Sequence, residues 1–149
     1  MKRLSGMDAS FLHTATATQY MHTPKVAIFD PPVDGTPYRF ADQFAHIAST
    51  IHRVPPFRWR ALPVPLNLHN PVWQDDPNFD LALHVHRAAL PHPGGPEELT
   101  EFIEALASTP LNRDRPLWEL WMVENYEGSR VAAVAKVHHA LADGMATAD

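Results

Sequence analysis

No cysteine occurs among the 149 residues. That excludes a disulfide framework, a thiolate nucleophile and a cysteine-type zinc site, and it suits a reducing cytoplasm, the expected location. Basic charge is also scarce: twelve Lys and Arg against seventeen Asp and Glu leave a formal charge of -5. The basic stripe of a nucleic-acid partner is missing, so none is expected, and electrostatic docking on anionic lipid is weakened. No apolar run approaches the ~20 residues that span a bilayer. Met1-Lys2-Arg3-Leu4-Ser5 carries two positive charges but no apolar stretch follows, unlike a signal peptide. Neither Ser5 nor Ser10 sits in a G-x-S-x-G turn, so a serine hydrolase is not expected.

What the chain does have is 45% hydrophobic residues, enough for the core of one domain, and fifteen prolines that punctuate it. After Pro24, Lys25 to Phe29 reads as a short strand. Phe40, Phe44, Ile47, Ala48 and Ile51 recur at helical spacing, with Asp42, Gln43 and His46 off the stripe. Arg58 to Leu62 and Leu81 to His86 read as strands. A second helix follows Pro96, where Glu97 and Glu98 suit the positive end and Leu99, Phe102, Ile103 and Leu106 share a face.

Leu117 to Asn125 and Arg130 to His138 flank Tyr126-Glu127-Gly128-Ser129 and predict a hairpin. The second of these strands is apolar on nearly both faces, as in a central strand covered on both sides. Its alternation sends His138 with Ala132, Val134 and Lys136, and His139 with Val131, Ala133, Ala135 and Val137. Only one of the two rings can then face a given cleft. Histidine titrates close to neutrality, so such a ring can take a hydroxyl proton and return it within one turnover. Strands and helices in this order predict an α/β sandwich with a mixed sheet. His84 and His86 would share one strand face, but no third ligand has suitable spacing, and no metal is expected.

The run His138-His139-Ala140-Leu141-Ala142-Asp143-Gly144 resembles the HHxxxDG signature of the CoA-dependent acyltransferase superfamily. That superfamily includes chloramphenicol acetyltransferase, peptide-synthetase condensation domains and bacterial wax ester synthase/diacylglycerol acyltransferases. Further blocks are similar to the last group, in order along essentially the whole chain. These are Leu4 to Leu12, Met21-His22, Trp73 with Asp76-Pro77 and Phe79 to Val85, and Arg115-Pro116-Leu117-Trp118-Glu119 with its PLW motif. The Pro- and Ala-rich composition is similar to mycobacterial members.

The resemblance implies a two-layer, chloramphenicol acetyltransferase-like sandwich, with residues 1–149 as the N-terminal acyltransferase domain. It implies His139 as general base, taking the proton of a diacylglycerol or long-chain alcohol that attacks a fatty acyl-CoA. No cofactor is implied, acyl-CoA being a co-substrate. The oxyanion donors and most of the acyl tunnel would come from a homologous C-terminal domain, so the isolated chain is expected to be inactive. Attachment to membrane or lipid inclusions is expected to be peripheral at most. His138 belongs to the catalytic motif, but strand alternation sends it opposite His139. It is expected to be structural, with a supporting hydrogen bond near the site left open. Asp143 either orients the imidazole, as in a catalytic triad, or, as the superfamily favours, pairs with an arginine such as Arg113 or Arg115. Gly144 is expected to supply a positive φ or a close backbone approach. Pro116, Leu117 and Trp118 read as a buried strand start, and Trp59 and Trp73 as core. Two other functions stay open: a carrier-protein-dependent condensation or acyltransferase domain, and a non-catalytic module that docks on lipid inclusions or a partner.

Overall fold

Two β-sheets and four α-helices form the chain in a computed structural model that describes residues 2–16 and 18–146, with side chains through Ala142. Helix α1 (Gly6–Thr14) was not foreseen, although its start is written in the sequence. Ser5 Oγ accepts from the Asp8 amide at 3.1 Å and the Asp8 carboxylate accepts from the Ser5 amide at 3.3 Å, a reciprocal cap. The larger sheet has the order β2 (His22–Phe29), β7 (Arg130–His138), β6 (Trp118–Tyr126), β5 (Val85–Ala89). β5 runs parallel to β6 and the other neighbours are antiparallel, which makes the sheet mixed as expected. A smaller antiparallel sheet, β1 (Lys2–Arg3), β4 (Val72–Asp75) and β3 (Trp59–Leu62), stands apart from it.

Helix α3 (Pro96–Ala107) buries Leu99 and Leu106 against Val123, Ala132 and Val134 on one face of the large sheet. The opposite face meets a second core that contains Ala9 and Leu12 of α1, Trp73, Leu117, Trp118 and Leu141. Helix α2 (Phe40–Thr50) turns its expected stripe, Phe40, Phe44 and Ile47, toward this core but buries none of the three completely. β7 is central in the sheet, and its even-numbered face is buried from Ala132 to His138. On the other face Val131 is buried but Ala133, Ala135 and Val137 are only half-buried, so the expected second cover is partial.

The strand expected over Leu81 to His86 is corrected. Leu81–Leu83 is a 3₁₀ turn whose start is capped by Asp80, and β5 begins only at Val85. An Asx cap outcompetes the β-like alternation of the residues after it. His84 is therefore not on a strand face with His86. The hairpin is as expected, with Glu127 and Gly128 at positive φ in the turn. Helix α4 spans His139–Ala146, so the helix starts inside the motif itself. Gly144 lies within it, which removes the expected left-handed residue at that position.

Candidate active site

His138 and His139 sit at the junction where β7 ends and α4 begins, and the change of element separates them completely. His138 is 3% exposed. Its amide donates to the Leu117 carbonyl at 3.0 Å, and its Nδ1 accepts from the Ala140 amide at 3.2 Å. That bond fixes the proton on Nε2, which is buried with no partner among the described residues. Burial, reinforced by the nearby positive charge of Arg113, lowers the pKa of this ring to about 4. His138 is thus a neutral core histidine at neutral pH, turned away from His139.

His139 is exposed. Its amide donates to the Met21 carbonyl at 2.9 Å, and its Nε2 lies 3.1 Å from the Thr23 hydroxyl. The Phe11 ring packs at 5.3 Å between centroids. Register explains the meeting: Thr23 pairs with Val137 across the sheet, and His139 continues the face that Val137 occupies. The ring lines an open cleft of about 600 Å³ together with Tyr20, His22, Ala107 and Ser108. Thr23, Phe11 and Tyr20 were not found from sequence, because each reaches the ring through long-range pairing or packing that no local spacing encodes.

Two further charged or polar side chains tie α3 to this end of the sheet. His22 Nε2–H donates to the Ala107 carbonyl at 2.8 Å, and its pKa is lowered chiefly by burial. Lys136 is fully buried, and its Nζ donates to the carbonyls of Leu106 at 3.2 Å and Thr109 at 2.8 Å. It lies 3.5 Å from Glu119 Oε2, whose charge opposes the lowering of its pKa by burial. An ammonium at the negative end of a helix is in a favourable field. Both side chains close the C-terminus of α3, whose last carbonyls form part of the cleft wall.

The PLW block is interlocked with the motif rather than lying in the cleft. Pro116, Leu117 and Trp118 are all buried, and Trp118 Nε1 donates to the Phe57 carbonyl at 2.7 Å. His84, 2% exposed, donates from Nδ1 to the Trp118 carbonyl at 2.8 Å and stacks between Phe79 and Trp118. Burial lowers its pKa, and the half-buried Arg115 nearby adds to the effect. Its imidazole is a core spacer, with one nitrogen already committed. Trp73 is buried and Trp59 packs at the edge of the same core. The side chain of Asp143 lies outside the described residues.

The chain matches the family model described as the wax ester synthase/diacylglycerol acyltransferase catalytic domain over residues 4–149. A protein of Mycobacterium tuberculosis H37Rv that carries a provisional diacylglycerol O-acyltransferase name is 42% identical over 149 residues, all of this chain and 32% of the relative. Another from the same strain, similarly named, is 45% identical over 150 residues, again 100% of this chain and 32% of its own length. The solved wax ester synthase/diacylglycerol acyltransferase from Marinobacter aquaeolei VT8 superposes with a TM-score of 0.80 at 34% identity, over 96% of this chain and 35% of that one. The first condensation domain of the calcium-dependent antibiotic synthetase shares the fold, with a TM-score of 0.67 at 17% identity, over 93% of this chain and 34% of that one. The chain thus spans about a third of the length of these relatives.

Proposed function

Because this chain belongs to the wax ester synthase/diacylglycerol acyltransferase catalytic-domain family, we propose that it supplies the general base, His139, for transfer of a fatty acyl group from acyl-CoA to the hydroxyl of diacylglycerol or a long-chain alcohol. The observation that carries this reading is the His139 imidazole on an open cleft with its Nε2 already within hydrogen-bond reach of a hydroxyl, that of Thr23. In the reaction Nε2 takes the acceptor's proton as its oxygen attacks the thioester carbonyl. The tetrahedral intermediate then expels the CoA thiolate, which recovers the proton from the imidazolium. Base assistance of this kind is worth about 10²–10⁴-fold.

The wall opposite His139, with the oxyanion donors, is assigned to sequence beyond these residues, in keeping with the greater length of the relatives. Asp143 is assigned a structural ion pair. Helix α4 contacts the Pro55–Arg58 turn, and Arg58 Nε is buried without a partner among the described residues. Arg58 therefore joins Arg113 and Arg115 as a partner for it. No helix among the described residues is long and apolar enough to cross a membrane, so access to lipid acceptors is proposed to be peripheral.

The test is CoA release from palmitoyl-CoA with diacylglycerol or hexadecanol, read by a thiol reagent to which this cysteine-free chain adds no background. It is run on the chain alone and on the chain extended by its downstream sequence. Turnover only in the extended form, lost in His139→Ala, is expected. No turnover with any acceptor would move the reading to carrier-protein thioesters or to a docking module.

A further inference from the structure

A second cavity, of about 360 Å³, lies between helix α1, strand β3 and the segment leading into β6, with Arg60, His13, Arg113 and Asp114 in its walls. Its volume falls within the ~300–1,000 Å³ usual for small-ligand sites. Two guanidinium groups against one carboxylate give the lining a net positive charge in a chain whose formal charge is -5.

Arg60 is the telling side chain. It is half-buried, its Nε is closed off from solvent, and no hydrogen bond or ion pair engages it among the described residues. Arg58, Arg87 and Arg130, by contrast, each meet a carboxylate. Burying Nε–H without an acceptor is costly. No carboxylate among the described residues pairs with this guanidinium, whose remaining nitrogens are free to meet an anion in the cavity. Arg113 stands across the cavity and is steadied there by donating from Nη2 to the Leu12 carbonyl at 3.1 Å. The adjoining loop holds Leu66 and Asn67 at positive φ, 59° and 51°, with Asn67 in the cavity wall. Leucine pays a steric penalty in that conformation.

We propose that this cavity binds a phosphate group, with the half-buried Arg60 as its inner anchor and the exposed Arg113 as its outer one. The planar fork of a guanidinium matches two phosphate oxygens at once, which an ammonium cannot do. The cavity also has a place relative to the cleft. Arg113 and Leu117 are shared with a cavity of about 230 Å³ beside His138 and Tyr20, and Tyr20 is shared in turn with the cleft of His139. Two sources of phosphate fit: the phosphorylated adenosine end of a CoA thioester, or the headgroup of a phosphorylated glycerolipid. The choice between them rests on the acyl-transfer reading, whereas the site itself does not.

The experiment is calorimetric titration of the whole chain with coenzyme A, with a water-soluble short-chain phosphatidate and with inorganic pyrophosphate. Saturable binding is expected, weakened about 10- to 100-fold in Arg60→Gln and unchanged in Arg39→Gln, an exposed residue elsewhere. Preference for coenzyme A assigns the site to the donor, and preference for phosphatidate assigns it to a lipid headgroup. His139→Ala should bind as wild type, so a failure of the acyl-transfer reading would leave this result standing. Absence of saturable binding by all three ligands, or equal affinity in Arg60→Gln, overturns the site. Should Arg60→Gln fail to fold by circular dichroism, Arg113→Gln decides: weaker binding supports the site and unchanged binding removes it.

Discussion

The hydroxyl of Thr23 lies 3.1 Å from Nε2 of His139, although 116 residues separate them. Strand pairing makes the contact: β2 and β7 are antiparallel, and the register that sets His22 opposite His138 places Thr23 on the face that His139 continues. With the His139 amide bound to the Met21 carbonyl, the ring is held at both its backbone and its reactive nitrogen.

Removing that hydroxyl should cost orientation without removing the base. In the extended enzyme, Thr23→Val is expected to lower kcat about five- to tenfold, the worth of one hydrogen bond. His139→Ala should cost at least about 10²-fold. Steady-state kinetics on both variants check this, and a Thr23→Val loss as large as that of His139→Ala would mean the threonine does more than hold the ring.

Acidification should destabilise the fold through His138. Its folded pKa is depressed to about 4 from an ordinary 6.5. Between those values the unfolded chain binds a proton that the folded ring refuses, so stability is full above pH 6.5 and falls as pH drops toward 4. The loss is on the order of 2–3 kcal/mol for this residue. His22 and His84 are shifted the same way by burial and steepen the slope. Urea denaturation at several pH values should show a shallower dependence in His138→Gln, and an identical slope would exclude this histidine as its source.

Lys136 should be among the most costly residues to replace. Lys136→Ala strands the Leu106 carbonyl in the last turn of α3 and the Thr109 carbonyl just beyond it, and leaves Glu119 without its cation. A loss of about 3–5 kcal/mol is expected, as for a broken buried ion pair. Equilibrium denaturation measures it, and a loss below 1 kcal/mol would show that the carbonyls find water instead.

Gly94 admits no side chain. It adopts a φ of 72°, its carbonyl accepts from the Glu127 amide at 2.7 Å, and a Cβ there would overlap the Asn125 carbonyl oxygen. Gly94→Ala is expected to destabilise by about 2–4 kcal/mol. The neighbouring Gly95→Ala has more room and serves as the control, since its Cβ would meet only the Glu98 carboxylate, at 3.4 Å. Thermal melts of the pair should differ by several degrees, and equal melting would contradict the close approach.

Elements with a strong period were legible before any coordinates: α2 from its Phe40–Phe44–Ile47 stripe, α3 from Pro96 and its acidic first turn, and the β6–β7 hairpin from its turn residues. Where a side chain competed with the backbone, reading failed. Asp80 turned Leu81–Leu83 into a capped 3₁₀ segment, and Ser5 with Asp8 started a helix that periodicity alone did not reveal. For Gly144 the positive-φ alternative fails, because α4 begins one residue into the motif and carries the glycine in its interior.

By itself the sequence determined the family-like motif, the α/β class and that the two motif rings point apart, because alternation along a strand is a local property. That His138 is the buried ring was decided by the packing around the β7–α4 junction, which leaves His139 on the cleft. Only the tertiary structure decided what surrounds that histidine. Thr23, Phe11 and the Met21 carbonyl arrive by strand register and helix packing, and the Lys136 and His22 contacts with the end of α3 arrive by layer stacking. These depend on residues far apart in the chain meeting at fixed distances. Spacing along a sequence cannot encode that, since the energy of each contact exists only once both partners are in place.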